Sequence, residues 1–242
     1  MKIKIFQKGF NYSQDGQGNR LVYHLQGCNM RCPWCSNPEG LALSNSSCTE
    51  VEIDEILDEA RRSTPLFFEG GGVTLTGGEA TLQFDPVRTL FTKLKEAGIH
   101  TALETNGTHE RLAELFPLID ELIIDLKHYD NAIQEAHTKI GNTVTLSNIQ
   151  KALASRKQLL IRIPLVSGFN ADLADIPGFI QLIKSFDSPE LPVELLTYHE
   201  FGRDKWTKHG IEYQMENGYV PTAILQEFQR KFHESEINLI TT

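Results

Sequence analysis

Apolar positions along the chain recur in two alternating rhythms. Short continuous runs rich in β-branched residues mark strands buried on both faces, and between them apolar residues return every three or four positions, as in helices packed on one side. An N-terminal run, Lys2 to Phe6, precedes the first such strand, Leu21-Val22-Tyr23-His24-Leu25-Gln26. Thr49-Glu50-Val51-Glu52 reads as a capping box, with Val51, Ile53, Ile56, Leu57 and Ala60 at helical spacing behind it. Val73 to Thr76 predicts a second strand. Asp85-Pro86 then opens a helix as N-cap and first helical residue, and its stripe Val87, Leu90, Phe91 and Leu94 ends at Ala97-Gly98. His100 to Thr105 is the third strand, followed by a helix around Leu112 and Leu115 that Pro117 stops, then the strand Leu122 to Leu126. Helical stretches near Asn131 to His137 and Ser147 to Ser155 precede the strand Leu159 to Leu165. A helix near Asp175 to Phe186, a sixth strand Val193 to Thr197, an irregular stretch, a helix from Thr222 to His233 and a short tail, Ile237 to Ile240, complete the pattern.

Apolar strands joined by helices imply parallel pairing with right-handed crossovers. Six such units are too few for a closed eight-unit barrel, so the expected fold is α/β, an open, partial (β/α)6 TIM-like barrel. In that architecture functional residues sit just past the carboxyl ends of the strands. Those ends carry, in order, Cys28, Gly77-Gly78-Glu79, Glu104-Thr105-Asn106-Gly107, Asp125-Leu126-Lys127, Arg162 within the fifth strand, and Tyr198-His199-Glu200.

Composition narrows the class. With 242 residues, 40% of them hydrophobic, the chain can bury roughly three quarters of its unfolded surface around one core, so residues 1–242 are expected to form a single domain. A net charge of −9 with no block of Lys and Arg argues against a nucleic-acid or anionic-membrane footprint. No apolar run approaches the roughly 18 residues of a membrane span. Four cysteines and no apolar leader predict a reducing compartment, the cytoplasm, rather than a disulfide framework.

The cysteines carry the chemistry. Cys28, Cys32 and Cys35 fall within eight residues, so three thiolates can converge on one metal centre. A closed structural zinc site or an electron-shuttling cluster takes four ligands, and three leave one position open. A catalytic zinc site is the bland alternative, but no H-E-x-x-H or H-x-E…P-C-x-x-C context accompanies the thiols. Glycines bracket the second strand in Gly70-Gly71-Gly72…Gly77-Gly78-Glu79, where backbone can approach a ligand closely and Glu79 can accept from an ammonium group. Such a run is also an ordinary turn. Glu104 and Asp125 close buried strands, where an unpaired carboxylate is costly. They call for Lys127, a bound monovalent cation, or the ribose and ammonium groups of a substrate, unless they only cap turns.

The cysteine loop resembles that of the radical S-adenosylmethionine enzymes. Five features together resemble the glycyl-radical-enzyme activating enzymes, with the pyruvate formate-lyase activases nearest in length: Gln26-Gly27-Cys28-Asn29-Met30-Arg31-Cys32, the Gly-Gly-Gly-Val-Thr-x-x-Gly-Gly-Glu-Ala run, Thr105-Asn106-Gly107, Asp125-Leu126-Lys127, and Tyr198-His199-Glu200-Phe201-Gly202 with Lys205-Trp206. The resemblance implies a single [4Fe-4S] cluster on Cys28, Cys32 and Cys35, whose open iron chelates S-adenosylmethionine. It implies reductive cleavage of that cofactor and hydrogen abstraction by the resulting 5′-deoxyadenosyl radical from a glycine of a partner glycyl radical enzyme. Trp34, Ser36, Asn37, Gly77, Gly78, Glu79, Glu104, Thr105, Asp125, Leu126, Lys127, Arg162 and His199 would then surround S-adenosylmethionine, with Lys127 and His199 on its carboxylate, and Asp15 and Arg20 would form a lip facing the protein substrate. A flavodoxin or ferredoxin-type electron donor and a monomeric state follow from the same resemblance.

Three departures stand out. The usual Asp-Gly-Pro-Gly-x-Arg lip is Asp15-Gly16-Gln17-Gly18-Asn19-Arg20, and the strand-three acid is Glu104 where pyruvate formate-lyase activases tend to have Asp. Cys-Pro-Trp-Cys-Ser-Asn-Pro-Glu resembles activases that carry an inserted ferredoxin-like domain, yet only Cys48 follows, so no inserted domain is expected and Cys48 reads as an ordinary small residue or a remnant of such an insertion. A radical S-adenosylmethionine enzyme acting on a small molecule, and an iron-sulfur carrier or zinc module, are the rival readings.

Overall fold

In the computed structural model, which describes residues 1–241, the elements run β1 Lys2–Tyr12, β2 Asn19–Leu25, β3 Thr49–Glu52, α1 Ile53–Ser63, β4 Val73–Gly77, α2 Phe84–Glu96, β5 Thr101–Thr105, β6 Glu121–Asp125, α3 Asn131–Thr138, α4 Thr143–Ala154, β7 Gln158–Leu165, α5 Ile176–Lys184, β8 Val193–Thr197, α6 Arg203–Lys208, α7 Thr222–Glu234 and β9 Leu239–Ile240. The strands make one sheet in the order β3-β1-β2-β4-β5-β6-β7-β8-β9. Every neighbour from β2 to β9 pairs parallel, while β1 pairs antiparallel with both β2 and β3. The sheet stays open between β3 and β9, giving the partial (β/α)6 barrel.

Alternation along each strand divides the residues between two faces. Leu21, Tyr23, Leu25, Val73, Leu75, Leu103, Leu122, Ile124, Leu159, Ile161, Ile163 and Val193 join the core beneath the helices. The intervening positions point into the barrel, and several are polar: His24, Thr74, Thr76, Glu104, Asp125, Arg162 and Glu194. The helical stripe Val87, Leu90, Phe91 and Leu94 is fully buried against the outer face, as its spacing predicts.

Five local expectations are corrected. Thr49–Glu52 is a strand rather than a capping box, because it extends the sheet beyond β1 with Lys2 opposite Glu52 and Lys4 opposite Glu50. The helix that follows starts at Ile53 with no side-chain cap, and Ile53, Ile56, Leu57 and Ala60 are its buried face. Gln83, not Asp85, precedes α2, which begins at Phe84 with Pro86 inside its first turn. The segment Leu112–Leu118 is a 3-10 helix that includes Pro117 instead of stopping before it. The irregular stretch after β8 contains α6, and the tail adds β9 to the sheet beside β8.

The β1–β2 hairpin turns into the base of the barrel. Thr74 Oγ1 donates to the Asp15 carbonyl at 2.7 Å, and the Arg162 guanidinium donates to the Gln14 carbonyl. Gly18 has φ +72°, and a Cβ there would lie 2.4 Å from the Phe68 carbonyl oxygen, so only glycine fits the turn. No helix among the described residues is long and apolar enough to cross a membrane.

Candidate active site

The cysteine loop leaves β2 at Gln26 and is gripped by the end of every following barrel strand. From β4, the Gly78 and Glu79 amides donate to the carbonyls of Leu25 at 3.0 Å and Gly27 at 2.7 Å. After β5, Asn106 Nδ2 donates to Asn29 Oδ1 at 2.9 Å, and Asn29 Nδ2 donates to Thr108 Oγ1 at 2.7 Å. Beyond β6, the Thr138 carbonyl at the end of α3 accepts from the Arg31 amide at 2.8 Å. Past β7, Phe169 packs on Trp34 with ring centroids 4.4 Å apart. Beyond β8, Trp206 Nε1 donates to the Cys35 carbonyl at 2.8 Å. These contacts place the three thiols at the mouth of the barrel.

All three cysteines are free, Cys32 buried and Cys28 and Cys35 half-buried. Burial pushes Cys28 and Cys32 up to about 12 and Cys35 up to about 11, and each thiol is raised further by the charge of a neighbouring one. Behind them lies Lys127, buried, its Nζ 2.8 Å from Asp125 Oδ2. Burial works against that ammonium, but Asp125, Cys32 and Cys28 more than offset it and hold its pKa above the ordinary value. Deeper in the barrel Arg162 bridges two acids, Glu104 at 2.8 Å and Glu194 at 2.7 Å. Thr76 Oγ1 also donates to Glu104 at 2.9 Å. Two carboxylates thus share one guanidinium, and burial pushes Glu104 up to about 7, with Asp15 and Asp125 adding to the rise and Arg162 opposing it.

Several expected residues gather here: Trp34, Ser36 and Asn37 on the loop itself, Gly77 and Gly78 against it, and Thr105, Asp125 and Lys127 at the neighbouring strand ends, whereas the Leu126 side chain is fully buried in the main core. Others are placed differently. The Glu79 carboxylate already accepts from the Thr81 amide at 3.0 Å, Thr105 Oγ1 at 2.7 Å, the Asn106 amide at 2.8 Å and the Thr81 hydroxyl, so it ties β4 to β5 rather than waiting for an ammonium group. Glu104 faces Arg162, not Lys127. His199 is exposed, stacked on Phe201 at 4.3 Å, and its Nδ1 accepts from the Phe201 amide at 3.3 Å. Arg20 is no lip residue. It is fully buried and donates to Thr74 Oγ1 at 2.6 Å and to the carbonyls of Gln17 at 3.0 Å and Val73 at 3.0 Å, below the amino ends of the strands. Desolvation pushes its pKa down to about 10. Asp15 lies on the same hairpin, its carbonyl held by Thr74 and its carboxylate by Asn11. Sequence reasoning missed Asn29, Glu194 and the contacts of Lys205 and Trp206. The Lys-Trp pair was visible as a motif, but nothing in it said what it touches.

Among the described residues no three His, Cys, Asp or Glu side chains already form a coordination sphere. The donor set nonetheless suits a soft, cationic centre. Three thiols, one buried and two half-buried, must lose their protons to ligate, and the resulting charge needs a metal cluster and the nearby Lys127 to be tolerable. Three thiolates, with no fourth cysteine in the loop, leave one position of a four-iron cluster free.

Comparison with known proteins agrees with this arrangement. The family described as Radical SAM superfamily matches residues 22–180. A "Pyruvate formate-lyase-activating enzyme" of Staphylococcus aureus (strain USA300) is 37% identical over 216 residues, covering 86% of this chain and 85% of the relative. Among solved structures, a domain of pyruvate-formate lyase-activating enzyme from Bacteroides vulgatus aligns with a TM-score of 0.57 at 22% identity, over 71% of this chain and 98% of that one. A radical SAM methyltransferase from Sphaerobacter thermophilus aligns with a TM-score of 0.69 at 13% identity, over 99% and 73%. At these identities the two structures speak for the fold alone.

Proposed function

Because this chain belongs to the radical SAM superfamily and, within it, to the pyruvate formate-lyase-activating enzymes, we propose that it acts on a glycine of a partner glycyl radical enzyme of the pyruvate formate-lyase kind. It is a radical SAM activase whose cofactors are a [4Fe-4S] cluster and S-adenosylmethionine. When bound, these supply the electron and the hydrogen-abstracting group that turn a glycine into a glycyl radical. The observation that carries the reading is the grip of five strand ends on one three-cysteine loop, with a buried ammonium behind the thiols.

The chain's own residues then have distinct tasks. Cys28, Cys32 and Cys35 hold the cluster. Lys127, kept protonated by Asp125, offers its Nζ to the carboxylate of S-adenosylmethionine and offsets the thiolate charge. Thr105 and the Gly77-Gly78 backbone shape the wall next to that ligand, while Glu79 keeps the wall rigid. Trp34, Val166, Phe169, Tyr198 and Met215 form a separate apolar cluster beside the loop that excludes water from it. His199, on its exposed loop, completes the rim.

A monovalent cation between Glu104 and Asp125 would have to displace Arg162 or Lys127, each of which already neutralises one of those carboxylates. The same reading takes the protein as a one-domain cytoplasmic monomer reduced by a flavodoxin or ferredoxin-type donor. The test is anaerobic incubation of reduced protein, S-adenosylmethionine and the cognate glycyl radical enzyme. A doublet electron paramagnetic resonance signal should appear and should vanish when the target glycine is replaced by alanine. Cofactor cleavage with no radical on any partner, accompanied by modification of a metabolite, would overturn the proposal in favour of a small-molecule substrate.

A further inference from the structure

The last cysteine of the loop is held by a segment more than 160 residues away in sequence. Trp206 is buried, and its indole N–H donates to the Cys35 carbonyl at 2.8 Å. Lys205 Nζ donates to Asn37 Oδ1 at 3.0 Å and pairs with Glu39 at 2.8 Å. Gly202 lies flat against Ser36, so closely that a Cβ on it would stand 2.5 Å from the Ser36 Cα. Residues 202, 205 and 206 therefore meet residues 35, 36, 37 and 39 in register. The Asn37 amide, fixed from the side by Lys205, donates to Cys35 Sγ at 3.4 Å.

The other two thiols are anchored differently. The Cys28 amide is bonded to the Leu41 carbonyl at 3.3 Å directly after β2, and Cys32 follows the Arg31 amide bonded to α3. Among the described residues, only Cys35 of the three is hydrogen-bonded to the carboxyl-terminal third of the chain. We infer that Gly202–Trp206 is a staple for the cluster loop, in which Trp206 and Lys205 are positioning residues that set Cys35 and aim the Asn37 amide at its sulfur. The inference rests on the proposed reading that Cys28, Cys32 and Cys35 hold a [4Fe-4S] cluster. Its physical content is twofold. Loss of a staple contact frees one ligand to leave, and loss of the N–H···S bond removes a donor that favours the reduced, more negative state of a cluster.

Two substitutions separate the contacts. Trp206→Phe keeps an aromatic ring beside Tyr213, 5.7 Å away, but removes the donor to Cys35. Lys205→Met keeps the aliphatic stem and removes the charge. On anaerobically reconstituted protein, Trp206→Phe should release iron to a chelator about fivefold faster, the factor for one net hydrogen bond of about 1 kcal/mol. Lys205→Met should move the cluster midpoint potential to a more negative value and alter the electron paramagnetic resonance line shape of the reduced cluster. Tm should fall by no more than about 2–4 °C in either variant. Wild-type release rate, potential and line shape in both variants would overturn the staple, as would a fall in Tm with all three unchanged, since that is what a purely structural role predicts. Failure of the wild-type protein to take up about four irons would instead sink the cluster reading on which the inference rests.

Discussion

Glu104 is the carboxylate whose pH behaviour runs opposite to the usual case. An acid paired with a guanidinium ordinarily titrates low, but Glu104 shares Arg162 with Glu194 inside the barrel, and burial pushes it up from 4.5 to about 7. The folded protein therefore binds this proton more tightly than the unfolded chain does. Stability from this group is fully present below about pH 4.5, falls as pH rises, and is gone above about pH 7. At about 1.4 kcal/mol per pH unit, the interval amounts to about 3 kcal/mol. Glu104→Gln removes the titration but leaves a side chain of nearly the same shape against Thr76 and Arg162. Urea unfolding of both proteins at a series of pH values from 4.5 to 8 isolates the effect, because half-buried histidines such as His24 and His100, whose pKa values desolvation lowers, contribute equally to each curve and cancel in the difference. With a denaturant slope of about 3 kcal/mol per molar urea, the wild-type midpoint should lose about 1 M relative to the variant across that range. Parallel pH profiles for the two proteins would refute the argument that burial raises Glu104.

Other outcomes follow from the same contacts. Arg20→Met should cost more than about 3 kcal/mol by leaving the Gln17 and Val73 carbonyls without their donor, and this is read from thermal or urea unfolding; unchanged stability with a raised KM for the protein substrate would restore Arg20 to the lip. Lys127→Met should raise the KM for S-adenosylmethionine about tenfold, the factor for one lost charge-assisted hydrogen bond, and unaltered turnover at scarce cofactor would remove Lys127 from the site. Iron and sulfide analysis should give about four irons per chain, lost when Cys28, Cys32 or Cys35 is changed to Ala and kept in Cys48→Ser.

Much of the architecture was legible because the signals are local. Continuous apolar strands, the α2 stripe and the three-cysteine spacing each lie within a dozen residues and follow directly from period and chemistry. What was hidden is what depends on a distant partner. Thr49–Glu52 carries a helix-start signature, yet pairing with β1 outweighs it, since strand formation is decided by neighbours more than by intrinsic preference. Arg20 and Asp15 look like an exposed polar lip because the chain does not say that their hairpin turns inward to meet Thr74. Glu79 sits at the expected strand end, but its neighbours Thr81, Thr105 and Asn106 consume its oxygens. The polar inner face of the barrel was partly masked, as alternate charged residues in strands β5 to β8 read as interruptions of an apolar run.

The staple on Cys35 also bears on how the protein is made. The three cysteines leave the ribosome before Trp206, the residue that fastens the last of them, which is 171 positions behind it. At roughly 5–20 residues per second of synthesis, the nascent chain carries its thiols for roughly 10–30 s before that fastening exists. The loop with all three thiols fastened therefore exists only once synthesis has passed Trp206.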